Sequence, residues 1–205
     1  TIIEFGKSNL VQKAMSQPDR VRDVVDKMKT DGVSATLGAV RTKLDQPFTP
    51  GYCNVGKILK SKVSGFKEGD RVVSNGCHAE VVHVPKHLCA KIPESVSDEA
   101  ASFTILAAIS LQGVRLAKPT IGETIVVTGL GLLGLLTVQI LRAQGCRVLG
   151  VDIDQNRRTL AASFGAEVVD PTDEDSLFTA ASNISRKRGV DAVIITASTK
   201  SNKLV

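Results

Sequence analysis

Val21, Val24, Val25 and Met28 recur at helical spacing among charged residues, and with them residues 1–45 read as helical. Gly32 is placed to stop the first helix, and a second is predicted over 35–44. From Pro47 to Pro93 the pattern shortens into apolar runs punctuated by Gly, Pro, Asn and Asp, which predicts strands over 54–59, 70–74 and 79–85. Ser97 followed by Asp98 and Glu99 marks a helix start: a hydroxyl caps free amides and the acids complement the helix dipole. The Ala-rich segment from there to Leu116 reads as a buried helix, and 118–122 as a hinge.

Beyond Glu123, strand and helix alternate with short links. Strands are predicted over 124–128, 147–152, 167–169 and 191–195, and helices over 132–144, 155–164 and 173–188. That order argues for an α/β fold, a parallel sheet covered by helices on both faces. Three segments follow: 1–46 helical, 47–117 β-rich with a linking helix, and 118–205 a partial Rossmann unit. The parallel sheet stops at four strands where a complete dinucleotide fold has about six, so the expectation is a piece of a longer protein.

Composition narrows the partners. The chain has 205 residues, 42% of them hydrophobic, and a formal net charge of +5 whose Lys and Arg are interspersed with acids. With one Tyr and no Trp there is little material for base stacking, so no nucleic-acid partner is expected. The run from Thr124 to Leu141 carries no charge and is long enough to raise a membrane span, but three glycines in its middle favour strand, turn and helix. The four Cys are widely spaced without a CxxC pair, and the expected setting is reducing and cytoplasmic.

The strongest chemical signal is Gly129-Leu130-Gly131-Leu132-Leu133-Gly134, a G-x-G-x-x-G run between a predicted strand and a predicted helix. Gly129 permits the turn out of the strand, Gly131 lets backbone approach a pyrophosphate, and Gly134 allows helix and strand to pack closely. The helix amino end adds free N–H donors and partial positive charge. Asp152, followed by Ile153, ends the second strand about 20 residues beyond the loop, where a carboxylate accepts hydrogen bonds from both ribose hydroxyls and repels a 2′-phosphate. NAD is therefore expected over NADP. Arg157 and Arg158 pull slightly the other way, because an arginine there can pair with a 2′-phosphate; a solvated helix face is the plainer reading of both.

With Pro50-Gly51-Tyr52-Cys53-Asn54-Val55-Gly56, Gly65 to Val72, His78-Ala79-Glu80 and Val84-Pro85 in order before this fingerprint, the chain resembles the medium-chain dehydrogenase/reductase family, of the zinc-type alcohol dehydrogenase kind. The match runs from about Phe48 to Ile195. The helical segment before it, with Phe5-Gly6-Lys7-Ser8 and Lys29-Thr30-Asp31-Gly32, resembles the insertion of a bacterial subset. In that subset such a unit is often fused to a glucose–fructose-oxidoreductase-like dehydrogenase unit. The resemblance implies a GroES-like catalytic domain beside the Rossmann domain, and a hydride passing between nicotinamide and a small alcohol or carbonyl, such as a sugar derivative. A homo-oligomer is implied as well.

The sequence departs from the family at the catalytic zinc. Tyr52 stands where the family's histidine ligand would be and Cys53 where its glutamate would be, and the helix around Leu106 and Ala107 offers no ligand. A neutral phenol is a poor Zn²⁺ ligand. The four-cysteine structural zinc lobe is absent, since only a few residues separate Asp70-Arg71-Val72 from His78-Ala79-Glu80. Cys53, Cys77 and His78 are an alternative ligand set, but strand neighbours point to opposite faces. No zinc is therefore expected, and Tyr52 becomes the candidate to polarise the substrate oxygen, against a plain packing role. His78 is the second candidate acid/base; His83, His87 and a nucleophilic Cys53 have weaker claims. Two other readings stay open: a zinc enzyme with rearranged ligands, and a regulatory or assembly module that binds NAD without turnover.

Overall fold

Thr124–Thr128 is a run of β-branched residues buried almost throughout, with Ile125 and Val127 fully enclosed. A strand of that kind belongs inside a sheet with both faces covered. The computed structural model describes residues 18–36, 38, 40 and 50–198. The chain divides into two units, Thr1–Thr49 and Pro50–Val205.

In the first unit, α1 spans Pro18–Asp31, carries an exposed Lys29–Asp26 ion pair at 3.1 Å, and leaves Val24 and Met28 half-buried. Residues 33–36 are again helical; the rest of the helix expected over 35–44 lies largely outside the described residues.

The second unit opens with a three-stranded antiparallel sheet in the order β1 (Asn54–Lys57), β2 (Arg71–Ser74), β3 (Cys89–Lys91). Asn54 lies opposite Ser74, and Val72 opposite Lys91. The strand expected over 79–85 is not formed: that segment is irregular with Val81 exposed, and the free edge of β2 is taken by β3. Part of the reason is local: Val81 and Val82 adjoin and so send apolar side chains to opposite faces, and Pro85 has no N–H to give a ladder.

Two helices follow where one was expected, α2 (Asp98–Ala101) and α3 (Thr104–Ala117). Ser97 caps α2 as the sequence suggests, its Oγ accepting the amide of Ala100 at 3.1 Å. The Arg71 guanidinium donates to Asp98 Oδ1 at 2.6 Å and to the Val96 carbonyl at 2.8 Å, fastening α2 to the small sheet. α3 is buried along one face only: Ser110 and Val114 are enclosed, while Ile109 and Leu116 stand in solvent.

The parallel sheet has the order β6 (Glu167–Val169), β5 (Arg147–Val151), β4 (Thr124–Thr128), β7 (Ala192–Ile195). It is crossed by α4 (Leu132–Ala143), α5 (Gln155–Ser163) and α6 (Glu174–Ile184). Alternate residues of the central strands serve opposite faces. Ile125, Val127 and Val148 pack with Val114, Val138 and Leu141 of α3 and α4, whereas Val126, Leu149 and Val151 pack with Ile184 of α6. Each such side chain contributes on the order of 1.5–3 kcal/mol on burial. Gly145 ends α4 at φ +88, a conformation only glycine takes without cost. The last helix stops at Ile184, short of the expected 188, because Arg186 and Lys187 turn into the left-handed region. Among the described residues, no helix is long and apolar enough to cross a membrane.

Candidate functional site

The sheet order places the loop between β4 and α4 at the carboxyl end of the strand next to β7, where the winding direction reverses. Ligands of open α/β sheets bind at that switch point. Gly129 leaves β4 at φ +89, and a Cβ there would stand 2.5 Å from the Ala197 amide nitrogen. A Cβ on Gly134 would overlap the Gly129 carbonyl oxygen, so the first turn of α4 can lie against the strand end only without one. Thr196 completes this corner, its hydroxyl donating to the Gly129 carbonyl at 2.5 Å. Nothing in the local sequence marks Thr196; it matters because β7 pairs with β4.

Gly131 is different in kind. A Cβ there would meet nothing within 4 Å, so the loop turns its bare backbone toward open space. Gly131 also caps α4 without a side chain, and no acid stands in the first turn. α5 and α6 by contrast are capped by Asp154 and Asp173. The uncapped end keeps its N–H groups and partial positive charge for an anion. The residues present therefore fit a dinucleotide pyrophosphate.

The candidate residues around this loop divide by role. Leu130 is fully enclosed in the core, and its side chain faces no ligand; its amide donates to Asp152 Oδ2 at 2.6 Å. Leu132 is exposed, Leu133 half-buried, and Ile153 is 73% exposed at the strand end beside Asp152. Asp152 is 7% exposed, and its other oxygen accepts the Asp154 amide at 2.8 Å. Burial alone would raise the Asp152 pKa. The amides of Asp154 and Leu130, with the Arg157 guanidinium 3.6 Å away, outweigh burial and hold it below the usual carboxylate range. Asp152 therefore stands charged, ties the phosphate loop to the end of β5, and keeps lone pairs for ribose hydroxyls.

The two arginines separate as the sequence could not separate them. Arg158 is buried, donating to the Asp152 carbonyl at 2.6 Å and to Gln155 Oε1 at 2.7 Å, and pairing with Asp170 at 2.9 Å. It joins the ends of β5 and β6. Arg157 is half-exposed beside the Asp152 carboxylate.

Tyr52 and His78 lie in adjoining segments of the β-rich part. The His78 amide donates to the Pro50 carbonyl at 2.8 Å, and the His78 ring occupies the place a Cβ on Gly51 would take. Asn54 braces the same corner, donating to the Cys77 carbonyl at 3.0 Å and accepting from Ser74 at 2.6 Å. Tyr52 is 54% exposed and His78 is exposed, so neither is committed to the core. Cys53 points elsewhere, its thiol donating to the Ser102 carbonyl at 2.8 Å. All four Cys and all three His fall among the described residues, where no three His, Cys, Asp or Glu side chains gather as a metal site.

A cavity of about 490 Å³ lies between the small sheet and α3, lined by Val73, Asn75, His87, Leu88, Thr104 and Ile105 among others. Tyr52, His78 and the glycine loop do not line it. α3 reaches the nucleotide loop from the other side, Ser110 donating to the Leu133 carbonyl at 3.0 Å.

Comparison with known proteins agrees with this architecture. The zinc-binding dehydrogenase family matches residues 133–203. The alcohol dehydrogenase of Moraxella sp. (strain TAE123) is 29% identical over 204 residues, covering 80% of this chain and 60% of the relative. The crystal structure of 2R,3R-butanediol dehydrogenase from Bacillus subtilis superposes with a TM-score of 0.65 at 26% identity, over 75% of this chain and 53% of that one. The chain thus spans little more than half the length of these relatives. The alcohol dehydrogenase of Geobacillus stearothermophilus is 32% identical over 241 residues, covering 97% of this chain and 70% of the relative. With that likeness, the parallel sheet and the glycine loop at its switch point, the chain belongs to the medium-chain dehydrogenase/reductase family.

Proposed function

We propose that the protein is an NAD-dependent oxidoreductase that interconverts a small alcohol and its carbonyl, sugar derivatives included, without a catalytic zinc. The observation that carries this reading is the loop at Gly131, open to solvent and uncapped, with the charged Asp152 fixed beside it. Alcohol and butanediol dehydrogenases among the relatives support the reaction class. When bound, the nicotinamide supplies or accepts the hydride.

The chain's own residues bind and orient. The amino end of α4 holds the pyrophosphate, Asp152 accepts from the ribose hydroxyls, and Ile153 offers an apolar surface to the adenine. Oxidation of the alcohol releases a hydride from carbon and a proton from oxygen. Tyr52 takes the proton role, its hydroxyl hydrogen-bonded to the substrate oxygen, and exposed His78 passes the proton to solvent. Support for zinc independence comes from the donor set: tyrosine and cysteine stand where the family places histidine and glutamate, and among the described residues no ligand cluster replaces them.

One observation favours a second reading of the cofactor. Arg157 is half-exposed where it pairs with Asp152, within reach of a 2′-phosphate, which would admit NADP. Titration of the protein with NADH and, separately, NADPH, followed by nicotinamide fluorescence, decides between them. Tighter binding of NADH supports the proposal, tighter binding of NADPH the second reading. Binding of neither would overturn both, and activity abolished by a chelator and restored by Zn²⁺ would overturn zinc independence.

A further inference from the structure

The opposite edge of the parallel sheet carries a second set of ligand-type groups. The amino ends of β4 and β5 and the loop before β7 surround a cavity of about 540 Å³, lined by Thr124, Arg147, Arg186, Arg188, Glu123 and Asp191 among others. Its size falls within the range of small-molecule sites, about 300–1,000 Å³. Sheet order alone assembles it, because these residues come from three separate stretches of chain.

Three features point to an anion. First, none of the three arginines has an ion-pair partner among the described residues, and Arg147 spends one N–H on the Gly122 carbonyl at 2.7 Å. Second, the three arginines outnumber the two acids of the lining, whose carboxylates hold backbone amides: Asp191 accepts the Thr124 amide at 2.7 Å and Glu123 the Thr120 amide at 2.9 Å. Third, two buried polar atoms of the lining, Arg147 Nε and the hydroxyl oxygen of Thr124, have no hydrogen-bond partner; Thr124 is only 1% exposed. A buried polar group without a partner costs free energy that a ligand can offset.

We propose that this edge binds a phosphate group, free or carried by a small molecule, through Arg147, Arg186 and Arg188. Phosphate fits better than carboxylate because three guanidinium forks call for at least three acceptor oxygens. The site faces away from the glycine loop, so its ligand does not compete with the nucleotide, and the proposal stands independently of the proposed reaction.

Side-chain N–H resonances of the arginines, followed by NMR during titration of the full chain with inorganic phosphate, test it. Saturable shifts at Arg147 and Arg188 are expected. Arg188→Ala and Arg186→Asn, both at exposed positions, should each weaken phosphate binding by about tenfold, the worth of one charge-assisted hydrogen bond. Asn is chosen at 186 because it tolerates the left-handed backbone there. Ribose 5-phosphate in a parallel arm distinguishes the sources: tighter binding than phosphate assigns the site to an organic phosphate, equal binding to the free ion. Shifts that do not saturate, or that appear only at the amides of 129–134, would overturn the proposal.

Discussion

Replacing Asp152 by alanine removes more than the proposed ribose ligand. Its carboxylate holds two amides, that of Leu130 at 2.6 Å and that of Asp154 at 2.8 Å. Leu130 is fully enclosed, so water cannot replace the lost acceptor, and the stranded amide costs about 1–3 kcal/mol. Asp154 is half-buried and recovers part of its bond from solvent, leaving about 0.5–1.5 kcal/mol. The half-exposed Arg157 pair adds little. Asp152→Ala should therefore lower stability by about 2–4 kcal/mol. Asp152→Asn keeps one acceptor and should lose about half as much. Urea unfolding followed by far-UV circular dichroism suits a chain without Trp. At an m-value of about 2 kcal/mol/M the alanine midpoint falls by about 1–2 M. An unchanged midpoint in Asp152→Ala, or an Asn variant weaker than the Ala variant, would refute the claim that Asp152 braces the phosphate loop. The series also separates the two roles: loss of NADH binding counts as loss of a ribose ligand only in a variant that remains folded at the titration temperature.

Three other outcomes follow from the same corner of the fold. The folded pKa of Asp152 is held below its unfolded value of about 4, so its contribution is full above that pH and fades as pH falls through the lowered value; the stability gap between wild type and Asp152→Ala should narrow in acid, as urea midpoints at neutral and acid pH would reveal. Gly134→Ala forces a methyl onto the Gly129 carbonyl and should cost about 1–3 kcal/mol, whereas Gly131→Ala has room and should cost under about 1 kcal/mol while weakening NADH binding about tenfold. Equal stability losses in the two glycine variants would contradict this division. Arg158→Ala breaks a buried network and should destabilise by about 2–3 kcal/mol; Arg157→Ala should stay within about 1 kcal/mol and, if the arginine serves a 2′-phosphate, reduce NADPH affinity more than NADH affinity.

What the sequence by itself determined is what lives in a short window. The glycine spacing, the alternation of strand and helix, the Ser97 cap and the place of Asp152 at a strand end were all legible, because glycine's backbone freedom, capping hydroxyls and hydrophobic period are properties of a few consecutive residues. Tertiary structure decided the rest. Which segment fills the edge of β2 depended on competition between 79–85 and 89–91, and neither run is decisive alone. The split between Arg157 and Arg158 depended on Asp170, which reaches Arg158 from the end of another strand. Leu130 reads as part of the phosphate loop, yet the fold turns its side chain into the core and gives its amide to a carboxylate 22 residues away. Thr124, Arg147 and Arg188 carry no motif and are gathered only because parallel pairing puts the amino ends of β4, β5 and β7 side by side. Local chemistry is written along the chain, while partners far apart in sequence exist only once the sheet order fixes which strand ends are neighbours.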